Sequence, residues 1–388
     1  MNETNAPQAR QRLITLDAMR GFAIFGIFMV NIQFMGMPFE WAMDAHHTVG
    51  ADVWAWAFTS TFFESNFVAI FSMLFGAGLV LQLVRAEERA APFGPIYLRR
   101  LGLLMLMGIA HGAFLFMGDI LLLYSLVGLV LFLCRKMKPR TLLCMGAFPL
   151  LVSLFGALLI HSFGPMESSA DEVANQLQRV REGPLLNLLA GRAIEFAVWM
   201  VFSSFWFNWR VLSMLFLGAA LMKLGFFEER RRDWHARAAL VGLTLGGALE
   251  ALVTWCRWEE LQGIIAGLTE SLHQLSSLIL ALGYMGAISL LVHSGVLRWL
   301  VRGVSCVGRT SLSNYILQSV VANLLFTFIG LAWFGERTRW ELIGIVCVTY
   351  TIQVALSALW LRYFHMGPLE WVWRSATYLC RQPLLRRP

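Results

Sequence analysis

Charge is what this 388-residue chain has least of. Asp, Glu, Lys and Arg make up 14% of it, against roughly 25% in a soluble domain, and mean hydropathy is +0.63. A water-soluble fold is excluded. The six cysteines form no CxxC pair and have no His at ligand spacing, so neither a zinc site nor a disulfide framework is expected, and no metal cofactor. Walker and GxGxxG spacings are absent, which removes the standard phosphate loops. A net charge of +7 and a pI near 9.3 suggest nucleic acid at first sight. The basic residues form no aromatic-interleaved groove, and that partner is excluded. No repeat of 20–50 residues is visible, so an inverted-repeat transporter has no direct support. The first apolar run is too long for a cleavable signal and lacks a small-residue cleavage site, so the first span is expected to act as its own insertion signal.

What is present is a succession of apolar runs of membrane-spanning length. Their pattern predicts an all-α, polytopic helical bundle with spans near 18–37, 67–84, 100–117, 120–134, 141–161, 206–225, 237–256, 272–294, 311–332 and 342–363. With the N-terminus inside, the inner segments carry 23 of the 31 Lys/Arg and 7 of the 24 Asp/Glu. That asymmetry fixes ten spans with both ends in the cytoplasm. The stretch 185–206 is apolar but holds Arg192 and Glu195. As a full span it would put EERRR (228–232) outside, so it is expected to lie at the interface. The polar stretch 166–182 is expected to be an exposed outer helix.

Ionisable groups inside spans are expensive and usually face a bundle interior. Asp17 and Arg20 stand three residues apart at the inner mouth of the first span, on one helix face. Asn31 lies almost four turns further along that face. The pair reads either as a helix-start ion pair or as the gate of an inner pocket, and the stripe either as a route or as helix glue. Arg100 and His111 share a face of the third span, and Asp119 sits on the outer turn after it. A carboxylate beside a neutral His orients it as a general base; the alternative is a hydrogen bond that ties helices together. Tyr124 is a further donor in the fourth span. In VGRTSLSNYILQSV (307–320), Arg309 stands at a helix start, and Asn314 and Gln318 share a face. These residues either hold phosphates or cap and glue helices. The outer loop 38–56 carries His46 and His47, a poor metal pair, and reads as solvated. Glu64 marks the outer end of the second span, where the glycines of FGAGL permit close packing. Glu370 and Arg374 lie in FHMGPLEWVWRS, which interfacial anchoring alone explains.

Five motifs in order, LDAMRGFAIFGIFMVNI, FSMLFGAGL, GIAHGAFLFMGDILLLYSL, GRTSLSNYILQS and GPLEWVWR, resemble the YeiB-like bacterial inner-membrane family, whose C-terminal half is a domain of unknown function. The likeness leaves only about 135–205 and 228–300 matched by hydropathy alone. It divides the chain into an N-terminal membrane part (1–134) with the LDAMRG and GDIL motifs, a middle segment (135–205), and a C-terminal YeiB-like domain (206–388). The opening LD..RG, apolar run and Asn are also similar to those of transmembrane acyltransferases such as heparan-glucosaminide acetyltransferase. These move an acyl group from cytoplasmic acyl-CoA to an acceptor across the membrane.

That resemblance implies catalysis by His111 with Asp119 and donor binding by Asp17, Arg20, Arg100, Arg309, Asn314 and Gln318. Asn31, His46, His47, Glu64 and Tyr124 would lie on the acceptor side. His46 or His47 is the positional counterpart of that enzyme's catalytic His, at a longer spacing, and ranks below His111. Acyl-CoA is then the donor, membrane lipid the surroundings, and a small molecule, glycan or lipid the acceptor. Two other readings remain open at this point, a small-molecule transporter or exporter and a non-catalytic scaffold or sensor.

Overall fold

The chain folds around its own first helix. A computed structural model describes residues 5–47, 50–164 and 169–386, with side chains from Leu13 onward. The remainder, including parts of the inner N-terminal segment and the outer polar stretch, lies outside the described residues. The helices, in chain order, are α1 (Asn5–Gly36), α2 (Phe39–Met43), α3 (Asp52–Phe62), α4 (Asn66–Glu88), α5 (Phe93–Phe114), α6 (Leu121–Leu133), α7 (Pro139–Ser162), α8 (Ala170–Glu182), α9 (Leu185–Ser203), α10 (Phe207–Lys223), α11 (Arg232–Val241), α12 (Gly247–Trp258), α13 (Gly263–Ser294), α14 (Arg298–Arg309), α15 (Ser311–Phe326), α16 (Arg339–Tyr363) and α17 (Pro368–Tyr378). A π-helical turn, Gly242–Gly246, joins α11 to α12 into one rod. Among the described residues there is no strand beyond one isolated bridge.

Among the described residues, eight segments are long and apolar enough to cross a membrane. α9 is one of them by composition, but its contacts place it along the outer side. Arg192 donates to the Phe114 carbonyl at the outer end of α5 (3.0 Å), and the Trp199 ring lies 6.4 Å from Phe39 and 6.2 Å from Phe207, both at outer helix starts. Set α9 aside, add the shorter α6, α10 and α15, and the alternation yields the ten expected crossings. Flanks of the crossing helices stay apolar, as at Leu106, Phe148 and Val348; in hydrocarbon such exposure carries no hydrophobic penalty.

α1 packs against α4, α13, α14, α15 and α16, and Leu16, Met19, Ile24, Phe28 and Ile32 are fully buried in it. Its inner end meets α14 backbone to backbone. A Cβ on Gly21 would stand 2.1 Å from the Val304 carbonyl oxygen, and one on Gly308 would stand 1.8 Å from that of Asp17. Only glycine permits that approach. The glycines of LDAMRG and GRTS are thus two sides of one crossing, and they bring Asp17 next to Arg309. Gly76 of FGAGL gives the same closeness to α10, at the Leu215 carbonyl.

Two boundaries differ from the sequence reading. α15 stops at Phe326, not near 332, because Thr327 is extended and the chain folds back on the helix, with Leu331 donating to Leu324 and Phe334 to Phe326. Phe328, Ile329, Leu331, Trp333 and Phe334 keep hydropathy high past the true end. The outer 38–56 stretch is not a simple solvated loop. It forms α2 and the start of α3 around buried Arg339, which donates to the carbonyls of Trp41 (2.7 Å) and Asp44 (3.2 Å), while Asp52 accepts the Arg339 backbone N–H (2.8 Å).

Candidate functional site

At the inner end of the bundle, α1, α14 and α16 border an open cleft of about 360 Å³. Its wall includes Asp17, Ser305 and Cys306 together with four arginines, Arg302, Arg309, Arg362 and Arg386. The Ser305 hydroxyl is buried with no hydrogen-bond partner. Arg20 bonds Asp17 at 3.2 Å, and Arg309 donates to the His365 carbonyl at 3.1 Å. Four cations against one carboxylate make this an anion-attracting cleft. Two of its residues, Asp17 and Arg309, were legible in the sequence; the other three arginines had read only as ordinary inner-loop charge. Arg100 lies apart, its guanidinium 3.6 Å from the Trp373 ring centroid in a cation–π contact.

α15 starts two residues after Arg309. Thr310, Asn314, Gln318, Ser319, Asn323 and Thr327 recur at helical spacing along one side of it. Asn314 donates to the hydroxyls of Thr310 (2.8 Å) and Ser357 (3.0 Å), Gln318 donates to Gln353 (3.0 Å), and Asn323 reaches the Leu115 carbonyl (3.1 Å). The polar stripe expected on α1 between Asp17 and Asn31 is therefore on α15. On α1 the intervening turns are Gly21, Ile24 and Phe28, all packed core. Asn31 itself is half-buried, and its neighbour Gln33 accepts from Arg339 at 3.3 Å.

Near the outer end of α15 the stripe meets His111, in the last turn of α5. Asp119 Oδ1 lies 2.8 Å from His111 Nδ1, and Asp119 Oδ2 accepts the Leu122 N–H at 2.8 Å. Ser319 Oγ lies 2.8 Å from His111 Nε2. Relative exposures of 3% for Asp119, 2% for His111 and 0% for Ser319 leave bulk water out. Gly108 makes the arrangement possible, since a Cβ there would stand 2.2 Å from Leu122 N and 2.9 Å from Asp119 Oδ2. One turn outward, Leu115, Phe116, Ala322 and Asn323 help line an outer cleft of about 50 Å³. The sequence pointed to His111 and Asp119 but not to Ser319, one serine among many. Its place on the polar face of α15 was the available signal.

The remaining candidates sit elsewhere. Tyr124 pairs with Ser72 at 3.0 Å. His46 stacks on Trp258 (4.3 Å) and bonds its carbonyl (2.7 Å). His47 stacks on Trp41 (4.2 Å); partial burial, with the Arg339 charge adding to it, outweighs Asp44 and holds its ring below the ordinary histidine value. Glu64 belongs to a second, half-buried cluster that sequence reasoning missed. Arg257 grips Glu270 through two bonds (2.6 and 2.8 Å) and Glu64 through a third (2.8 Å). Beside them His273 bonds Glu250 at 3.0 Å. Glu370 of α17 caps α15, accepting the N–H groups of Leu312 (2.7 Å) and Ser313 (3.2 Å). Burial nevertheless pushes its carboxyl above the usual range.

Fold and sites together define a multi-pass, all-α membrane protein with an open arginine-lined cleft at its inner end and a buried His–Asp–Ser cluster near the outer end. The chain belongs to the YeiB/YxaH family of membrane proteins. Residues 221–380 match the family described as "Protein of unknown function (DUF418)". The "Uncharacterized protein YxaH" of Bacillus subtilis (strain 168) is 31% identical, over 100% of this chain and 99% of its own length. The "Uncharacterized protein YeiB" of Escherichia coli (strain K12) is 30% identical, over 97% of this chain and 99% of its own. A 39.9 kDa protein from the amylase 3′ region of Bacillus acidopullulyticus is 31% identical, over 97% and 96%.

Proposed function

We propose that this protein transfers an acyl group across a bacterial inner membrane, from acyl-CoA at the cytoplasmic face to an acceptor at the outer face. One observation carries the reading: the chain enters α15 directly from Arg309 in the wall of the inner arginine cleft, and the same helix meets the Asp119–His111 pair near its outer end. The inner cleft's four arginines suit the phosphates of a CoA donor, which guanidinium groups bind by paired charge-assisted hydrogen bonds. His111, held by Asp119, takes a proton as the acyl group moves. Water exclusion protects the thioester from hydrolysis. The acceptor, a small molecule, glycan or lipid bearing a hydroxyl or amine, enters from the outer cleft.

The test is binding of acetyl-CoA and longer acyl-CoAs to the full chain in mild detergent, followed by calorimetry. Saturable binding is expected in the wild type, with loss of at least tenfold in affinity for Arg302→Ala and Arg309→Ala. Absence of binding at every chain length, in protein that elutes as a single folded species, overturns the donor assignment. A second reading, proton-coupled transport, draws on the buried His273–Glu250 pair and the half-buried Arg257–Glu64–Glu270 group beside it, since intramembrane carboxylates and histidines also build proton relays. Proton uptake by proteoliposomes driven by a solute gradient, abolished in Glu250→Gln, would favour it.

A further inference from the structure

We propose that Ser319 is the nucleophile of this site and carries the acyl group as a covalent ester between donor and acceptor. The identity of the donor rests on the acyl-transfer reading above; the reactivity of Ser319 does not.

The argument begins with where the protons sit. Asp119 takes the Leu122 N–H on one oxygen and faces His111 Nδ1 with the other. A carboxylate oxygen at 2.8 Å from a ring nitrogen places the imidazole proton on Nδ1. Nε2 is left with its lone pair, and the Ser319 hydroxyl at 2.8 Å donates to it. This is the acid–base–nucleophile order of a serine triad, which is recognised by geometry on any scaffold.

Helix glue accounts poorly for the same hydroxyl. A serine inside a membrane helix ordinarily satisfies itself on the carbonyl one turn back. Ser72 does so on Val68 (2.7 Å), Ser162 on Leu158 (2.6 Å) and Ser289 on Met285 (2.8 Å). Ser319 instead turns its hydroxyl across to another helix and meets the one ring nitrogen able to remove its proton. Asn323, a turn further out, donates to the carbonyls of Ser319 (2.7 Å) and Leu115 (3.1 Å) and keeps a buried Oδ1 without a partner. It stands between Ser319 and the outer cleft, where an acceptor hydroxyl or amine could donate to that oxygen.

The chemistry balances in two steps. Ser319 Oγ attacks the thioester carbonyl while its proton passes to His111 Nε2. The C–S bond breaks, the departing sulfur takes that proton, and CoA leaves as the thiol. The acceptor then attacks the seryl ester and gives its proton to Nε2. The ester C–O bond breaks, and Ser319 Oγ takes the proton back. Nothing is oxidised or reduced, and Asp119 remains a carboxylate throughout.

The experiment uses two small probes that need no CoA site, p-nitrophenyl acetate and diisopropyl fluorophosphate, on the full chain in mild detergent. Intact mass and peptide mapping locate the adduct. A single adduct on Ser319 is expected, absent in Ser319→Ala and slowed about 10³-fold or more in Asp119→Asn. Ser319→Cys, which keeps the fold and a nucleophile, is expected to acquire a thioester at the same position. No adduct with either probe in folded wild type and Ser319→Cys overturns the proposal, as does equal labelling of Asp119→Asn. A Ser319 adduct in protein that binds no acyl-CoA keeps the nucleophile and discards the donor. Acyl-CoA turnover undiminished in Ser319→Ala discards the nucleophile and keeps acyl transfer.

Discussion

His111 Nε2 and Ser319 Oγ stand 2.8 Å apart although 208 residues separate them in the chain. α5 supplies one and α15 the other, and neither helix alone has any chemistry. The contact exists because the turn holding Asp119 is pressed against α5 at Gly108.

Gly108 is therefore a first point of attack. An added methyl group would overlap Leu122 N and crowd Asp119 Oδ2. Gly108→Ala is expected to cost about 1–3 kcal/mol of stability through overpacking and to slow labelling of Ser319. Gly102→Ala, on the same helix but facing open space, is the control and should leave thermal unfolding and labelling unchanged. Equal behaviour of the two variants would refute this account of the turn.

The inner cleft predicts a salt effect. Affinity for acyl-CoA should fall steadily between low and high ionic strength, since its attraction is between charges partly open to solvent. Acyl-pantetheine, which carries the thioester without the phosphates, should bind at least about tenfold more weakly. Equal affinities for the two would move the donor's phosphates out of the arginine cleft.

The outer ion cluster predicts a stability effect with no bearing on acyl transfer. Arg257→Met leaves the half-buried carboxylates of Glu64 and Glu270 without their cation, a loss of stability smaller than the ~3–5 kcal/mol of a fully buried pair. Adding Glu270→Gln should recover part of it. Arg230→Met, in an exposed pair with Glu228, should change little. Thermal unfolding in detergent measures all three.

Glu370 predicts a pH dependence. Burial raises its folded pKa above the ordinary 4.5, so the folded chain holds this proton more tightly than the unfolded one. The resulting stabilisation is complete below 4.5 and is lost as pH rises through the folded value. The wild type should thus lose unfolding temperature relative to Glu370→Gln across that interval. A shift in the opposite direction would mean that the hydrogen bonds from Ser313 and the start of α15 outweigh burial.

How far the site could be read in advance varied residue by residue. Asp17 and Arg309 reach the same cleft, and His111 and Asp119 the same hydrogen bond, because each pair sits at a helix end whose neighbour the topology fixes. Arg100 shares a helix face with His111 but points to Trp373 at the opposite end; a shared face says nothing about depth. Asn31 completed a periodic stripe whose middle turned out to be core. Glu370 looked like an interfacial anchor, and its capping of α15 depends on a return of the chain that no local pattern encodes.

The all-α, multi-pass class was determined by sequence alone, because hydropathy adds up locally and the bilayer acts on each segment in turn. Where α15 ends, which helix carries the polar stripe and what His111 touches were decided only by the tertiary structure. A buried polar group must find its partner among whichever helices packing brings to it. In this bundle the decisive partner lies 208 residues away, beyond the reach of any local periodicity.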